Sequence, residues 1–172
     1  VLIRAIAALQ SKAYELELSI AGDGPLRSEL EQLALSLGIG GNVHFEGNVA
    51  HSEVADWMQG LDAFVLACKQ DSNGDQDGIP VVLMEAMSQS VPVISTRLSG
   101  IPELLLHEKT GLLADPGDAG ELAGLIDRLL SSTSLRKSLA INALEHVRSE
   151  FGQDVNLNRL LQHFGLKVEK NG

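Results

Sequence analysis

The chain has 172 residues, 44% of them hydrophobic, enough to bury one substantial core, and no apolar run approaches the roughly 18 residues a membrane span needs. Its 13 basic and 23 acidic residues leave a net charge of -10, which disfavours non-specific binding to nucleic acid or to an anionic membrane, so a phosphate-bearing ligand must be gripped locally. The single cysteine, Cys68, cannot close an internal disulfide and reads as a small buried thiol in the run DAFVLACK.

In chain order, VLIRAIAALQ is apolar at helical spacing without a basic leader, and reads as a helix caught without its beginning rather than as a signal peptide. Buried strands are predicted at ELELSIAG (15 to 22), NVHFEG (42 to 47), DAFVLACK (62 to 69), VPVISTR (91 to 97) and TGLLAD (110 to 115). Between them lie helical patterns: PLRSELEQLALSLG with Pro25 in its first turn and Gly38 past its end, SEVADWMQG capped by Ser52, IPVVLMEAMSQ, and IPELLLHE. This alternation predicts an α/β, Rossmann-like parallel sheet with helices on both faces. From about residue 118 the pattern is helical only: DAGELAGLIDRLLSS, SLRKSLAINALEHVRSEF and the sparsely apolar DVNLNRLLQHFG, before a loose polar end, KVEKNG.

In such a sheet, ligands bind outside the carboxyl ends of the strands. The loops there are GDGP (22 to 25), GNVAHS (47 to 52), the acidic loop 69 to 79, and RLSGIP (97 to 102). The acidic loop supports three chemistries. A calcium loop counted from Asn73 gains Asp75, Asp77 and Gly78, yet its closing position is Met84 and Glu85 comes one residue late. Asp75 and Asp77 also form an Asp-x-Asp pair of the kind that holds a metal against a diphosphate. The third reading is a helix N-terminus: Pro80 suits the first turn, and the amides near Gly78, Ile79 and Val81 face a sugar hydroxyl or phosphate oxygen at the positive end of the dipole. Asp77 precedes that end, and Glu85 lies about 8 Å further along at roughly 1.5 Å per residue, its side chain leaning back. Two such acceptors grip separate hydroxyl-bearing parts of one elongated ligand; without a ligand they are ordinary helix acids.

Taken together and in order, GDGPLRSELEQLALSLGI, NVHFEGNV, DGIPVVLMEAM, VPVISTRLSGIPELL and TGLLADPGD resemble the donor-binding, C-terminal half of retaining glycosyltransferases of family 4 (glycosyl transferases group 1), which have the two-domain B-type fold. The resemblance covers residues 1 to about 130. It implies transfer of a sugar from a nucleotide diphosphate sugar to a polysaccharide, lipid-linked or glycolipid acceptor, with no cofactor and no required metal. Glu85 matches the second of the family's two spaced glutamates, the one that holds the ribose, and Asp77 stands where the first would be, with an arm one methylene shorter. These two form the implied catalytic pair, although neither need be a general base. Gly78 and Ile79 match the turn facing sugar and phosphates, Val49 the position whose backbone meets the base, and Gly22 and Gly24 the glycine turn near the interdomain cleft. Glu103 matches too, but a first-turn helix acid needs no function.

The resemblance also implies that residues 1–172 are one nucleotide-sugar-binding domain, a fragment lacking the first strand, its cationic loop and the N-terminal acceptor domain of its parent chain. On that reading the sheet is interrupted at its middle and the fragment is inactive alone. The implied partners are the nucleotide sugar and that absent domain, without nucleic acid. The implied location is cytoplasmic, with any contact at the inner membrane face made through the absent domain. A nucleotide-sugar epimerase and a non-catalytic nucleotide-sugar-binding module share the architecture and stand as alternatives. His51 reads as water-facing, and His44, His107, His146 and His163 show no ligand spacing.

Overall fold

The computed structural model describes residues 1–12, 15–69 and 78–152. Helix α1 (Leu2–Ala8) leads to β1 (Leu18–Ala21), α2 (Arg27–Ser36), a 3-10 turn (Gly40–Asn42), β2 (Val43–Gly47), α3 (His51–Gln59) and β3 (Phe64–Val65). Then come α4 (Val81–Ser88), β4 (Val93–Thr96), α5 (Ile101–Leu104), β5 (Leu112–Ala114), α6 (Ala119–Ser131) and α7 (Thr133–Glu150). The predicted helix over 154 to 165, the polar end and the acidic stretch 71 to 77 lie outside the described residues.

Every strand ladder is parallel, as the alternation of strands and helices requires. The five strands form two sheets, β1–β2 and β3–β4–β5, so the interruption expected at the middle of the sheet is observed among the described residues. Both sheets nevertheless contribute to one apolar layer: Leu18, Val43, Ile94, Leu112 and Ala114 pack with Ile3 and Ile6 of α1 and Leu122 and Ile126 of α6. The strand period of two sends the alternate residues Phe64, Val93 and Leu113 to the opposite face, against α3, α4, α5 and α7.

Local chemistry fixes the element ends. Gly38, at φ +75, follows α2 in the left-handed conformation that glycine adopts without penalty. Asp118 caps α6 by accepting from the amides of Gly120 and Glu121, each at 2.8 Å, and Ser132 caps α7 through the amide of Leu135. Ala140, Ala143 and Val147, buried on α7, give a narrow face for approach to α4.

Two boundaries differ from the sequence reading. Helix α3 opens two residues early: the carbonyl of Ala50 accepts from the amide of Glu53 at 2.8 Å, which leaves Ser52 inside the first turn rather than at the cap. Strand β3 is shorter than the run DAFVLACK, because side chains replace the ladder beyond Leu66. Ser95 Oγ donates to the Leu66 carbonyl at 2.8 Å and Thr96 Oγ1 to the Cys68 carbonyl at 3.0 Å. Cys68 itself is half-buried.

Candidate functional site

The loops at the carboxyl ends of the strands are tied to one another in two pairs. The first joins the turns after β1 and β2. Strand β1 shifts register between Ile20 and Ala21, and the amide of Gly22 then donates to the carbonyl of Gly47 at 2.6 Å. Gly22 has φ +115 and Gly47 φ +68, so the backbone at both positions demands glycine whether or not a ligand is present. Gly24 differs: its φ is not positive and nothing lies within 4 Å of a side chain added there, leaving open space above the turn. Val49, half-buried, stands two residues past Gly47 and just before α3.

The second pair joins the turns before α4 and after β4. A Cβ on Gly100 would lie 3.0 Å from Ile79 Cγ1, so the backbone of one loop rests on the side chain of the other. Pro80 sits one position earlier than a first-turn proline, as the extended residue that precedes α4 (ψ 122). The carbonyl of Pro80 accepts from the amide of Leu83 at 3.1 Å. The amides of Val81 and Val82, ahead of that bond, have no intrahelical acceptor, which gives this end of the helix its capacity for oxygen ligands. Gly78 is exposed beside it.

Glu85 is half-buried and lines an open cavity of about 480 Å3 between α3, α4 and α7. His51 and Met58 line it from α3, Met84 from α4, and Arg148 and Phe151 from the end of α7. The structure thus places Glu85 and His51 on one cavity, with Val49 two residues before His51. Arg148 adds a cation that sequence reasoning missed; with more than 60 positions between it and Glu85, only the packing of α7 on α4 relates them. Asp77 lies outside the described residues. A second cavity of about 460 Å3, lined by Leu9, Glu15, Leu16 and Asn42, is at the opposite, amino end of β1.

Two cations at this edge of the sheets are engaged by carboxylates. Arg97, after β4, pairs with Glu121 and Asp115 at 3.0 and 2.8 Å, and those hydrogen bonds hold its guanidinium above the ordinary arginine value. Arg27, at the start of α2, pairs with Glu31 at 2.9 Å. His107 is structural, its Nδ1 accepting from the amide of Leu113 at 2.9 Å, whereas His44 is exposed. The ring of His146 meets Phe151 edge-on at 5.8 Å. Among the described residues no cluster of three or more His, Cys, Asp or Glu side chains is arranged to hold a metal ion, and no helix is long and apolar enough to cross a membrane.

Comparison with known proteins gives this edge a context. The family model for glycosyl transferases group 1 matches residues 1–146. The chain belongs to that family. It is 33% identical over 162 residues to the amylovoran biosynthesis glycosyltransferase AmsK of Erwinia amylovora, covering 94% of this chain and 40% of AmsK. Among solved structures it superposes on the C-terminal domain of the group 1 glycosyl transferase LpcC from Francisella tularensis with a TM-score of 0.77 at 25% identity, covering 88% of this chain and 77% of that one. It also superposes on Anabaena HepE in complex with UDP-glucose, with a TM-score of 0.80 at 26% identity, covering 95% of this chain and 43% of HepE. The chain therefore spans about two fifths of the length of AmsK and of other curated relatives that it matches. The B-type architecture expected from the sequence is that of these structures.

Proposed function

We propose that this family member is the donor half of a retaining glycosyltransferase, which binds a nucleotide diphosphate sugar across the paired loops and passes the sugar to a polysaccharide, lipid-linked or glycolipid acceptor. The observation that carries the reading is the convergence at one sheet edge of the Gly22–Gly47 bridge, the Gly100–Ile79 contact and the open end of α4, with Glu85 on the adjoining cavity. The UDP-glucose held by HepE, on the same fold, supports a nucleotide sugar as the ligand class.

In this reading Val49 offers its backbone to the base, Glu85 accepts from the ribose hydroxyls, and Gly78 and Ile79 present the start of α4 to the diphosphate. Gly22 and Gly24 leave room where the turn nears the cleft. Breaking the bond between the anomeric carbon and the diphosphate oxygen builds negative charge on the leaving group. The dipole of α4 opposes that charge, and cations complete the neutralisation. Asp77 faces the transferred sugar. The donor domain's own first strand joins the two half-sheets, and the acceptor site belongs to an N-terminal domain of a longer parent chain, which transfer requires. Donor binding needs no divalent ion in this proposal, and the parent enzyme works in the cytoplasm.

Calorimetric titration of the full-length protein with UDP, UDP-glucose, GDP and GDP-mannose tests the reading. Glu85→Ala is expected to weaken the free nucleotide and the nucleotide sugar alike by about ten- to a hundredfold, the loss of a charge-assisted hydrogen bond of roughly 1.5–3 kcal/mol. Asp77→Asn is expected to spare the free nucleotide and weaken the intact donor. Equal losses for both ligands in both variants overturn this division of roles. Loss of binding on chelation, restored by manganese, overturns metal independence.

A further inference from the structure

We infer that Arg27 is a positioning residue that sets the turn carrying Val49 against the turn after β1; the inference rests on the proposed use of these turns for a nucleotide. Arg27 is the first residue of α2, one residue after the Gly22–Pro25 turn, and its side chain reaches across to β2. Its Nη2 donates to the carbonyl of Phe45 at 3.3 Å, and its guanidinium carbon lies 5.7 Å from the centroid of the Phe45 ring. Its Nη1 is 3.7 Å from where a Cβ on Gly47 would stand, and its Nε donates to Glu31 at 2.9 Å. One planar fork therefore touches the helix at Glu31 and strand β2 at Phe45, and lies beside the glycine that ends the strand.

This contact matters because the ladder has already lost its regular register. Beyond the shift between Ile20 and Ala21, the link from Gly22 to Gly47 is an isolated bridge with glycine at both ends. Arg27 restrains that bridge from the side. Glycine at 47 is required by its φ of +68, and a Cβ there would stand at an ordinary 3.7 Å from Nη1, so the brace lies beside the turn without crowding it. A lysine keeps the charge over Phe45 but has no fork with which to hold Glu31 and the Phe45 carbonyl together. Glu31 neutralises the guanidinium and anchors it to α2, which suits a brace better than a phosphate ligand. Because the side chain is 39% exposed, its ion pair adds little stability, and its effect falls on ligand geometry instead.

The test is calorimetry on the full-length protein and its Arg27→Met, Arg27→Lys and Glu31→Gln variants, with UDP, GDP, ADP and inorganic pyrophosphate as probes and thermal unfolding in parallel. Arg27→Met is expected to lower affinity for the nucleotide preferred by the wild type about tenfold, to shrink the preference among bases, and to leave pyrophosphate affinity unchanged. Arg27→Lys is expected to recover only part of the loss, and Glu31→Gln to lose affinity in the same direction but less. An unchanged base preference in Arg27→Met overturns the inference, as does an equal loss of pyrophosphate, which would make Arg27 a phosphate ligand. If Arg27→Met does not fold, Glu31→Gln decides: retention of full base preference there overturns the inference. Wild-type protein that binds no nucleoside diphosphate overturns the proposed function itself, and this inference with it.

Discussion

The two half-sheets solve different problems. In β3–β4–β5 the apolar residues point both ways: all four residues of β4 and all three of β5 are buried, feeding the layers above and below. In β1–β2 only one face is apolar. Leu18, Ile20, Val43 and Phe45 point to the layer under α1 and α6, while Ser19, His44 and Glu46 point away. That second face is bridged by polar contacts, with Trp57 Nε1 donating to Ser19 Oγ at 3.2 Å and Ser19 Oγ donating to Glu46 Oε1 at 2.7 Å. The lesson is a separation of roles within one fold. Stability concentrates where both faces are dry, and the bridged glycine turns at Gly22 and Gly47 sit on the half that is dry on one face only.

The largest expected effect tests that separation. Leu112→Ala removes a fully buried side chain from β5 and is expected to cost about 2–5 kcal/mol. Ile20→Ala, at a half-buried position in β1, is expected to cost less than half as much. Urea unfolding of the two variants measures the difference, and equal losses would break the comparison.

A second pair of substitutions puts a methyl group into each half. A Cβ on Gly111 would stand 2.8 Å from the carbonyl oxygen of Val93 and 2.5 Å from Leu105 Cδ1, so Gly111→Ala is expected to cost about 1–3 kcal/mol. Gly24→Ala meets nothing within 4 Å and is expected to leave stability within about 0.5 kcal/mol. Thermal unfolding distinguishes them. If Gly24→Ala also lowers nucleotide affinity, the space above that turn is ligand space.

A smaller effect comes from the polar face. Trp57→Phe keeps most of the ring but removes the donor to Ser19, and a loss of about 0.5–1.5 kcal/mol in chemical denaturation is expected. No loss would mean that the contact follows the packing of α3 rather than helping to hold it.

The smallest effect is a pH dependence at the edge of the β3–β4–β5 half. Hydrogen bonding to Arg128 of α6 holds the carboxyl of Glu108 below its ordinary value. A depressed folded value means the pair contributes above the ordinary glutamate range and loses that contribution as pH falls through the folded value. Melting temperatures of wild type and Glu108→Gln are therefore expected to differ slightly at neutral pH and to converge as the pH falls below the ordinary glutamate range. A difference that grows on acidification would reverse the sign and refute the pairing.

The amino-acid sequence by itself determined the alternation of elements, because short runs of Val, Ile, Leu and Phe and amphipathic segments such as that of α6 carry their period in adjacent residues. It also determined where candidate ligands should be sought, since parallel strands put their carboxyl ends, and hence the loops carrying Gly22, Val49, Gly78 and Ile79, on one edge. The one-sided character of β1–β2 was partly legible in the alternation of ELELSIAG, but a short apolar run looks the same whether one face or two is buried. Only the tertiary structure decided that β3 would stop at Val65, because Ser95 and Thr96 of a later strand take over its carbonyls. Only it put Arg148 on the cavity with Glu85 and Arg27 against Phe45 and Gly47. Periodicity is a property of neighbours along the chain, whereas a cavity wall or a guanidinium brace is made by residues that meet only after the helices have closed on the sheet.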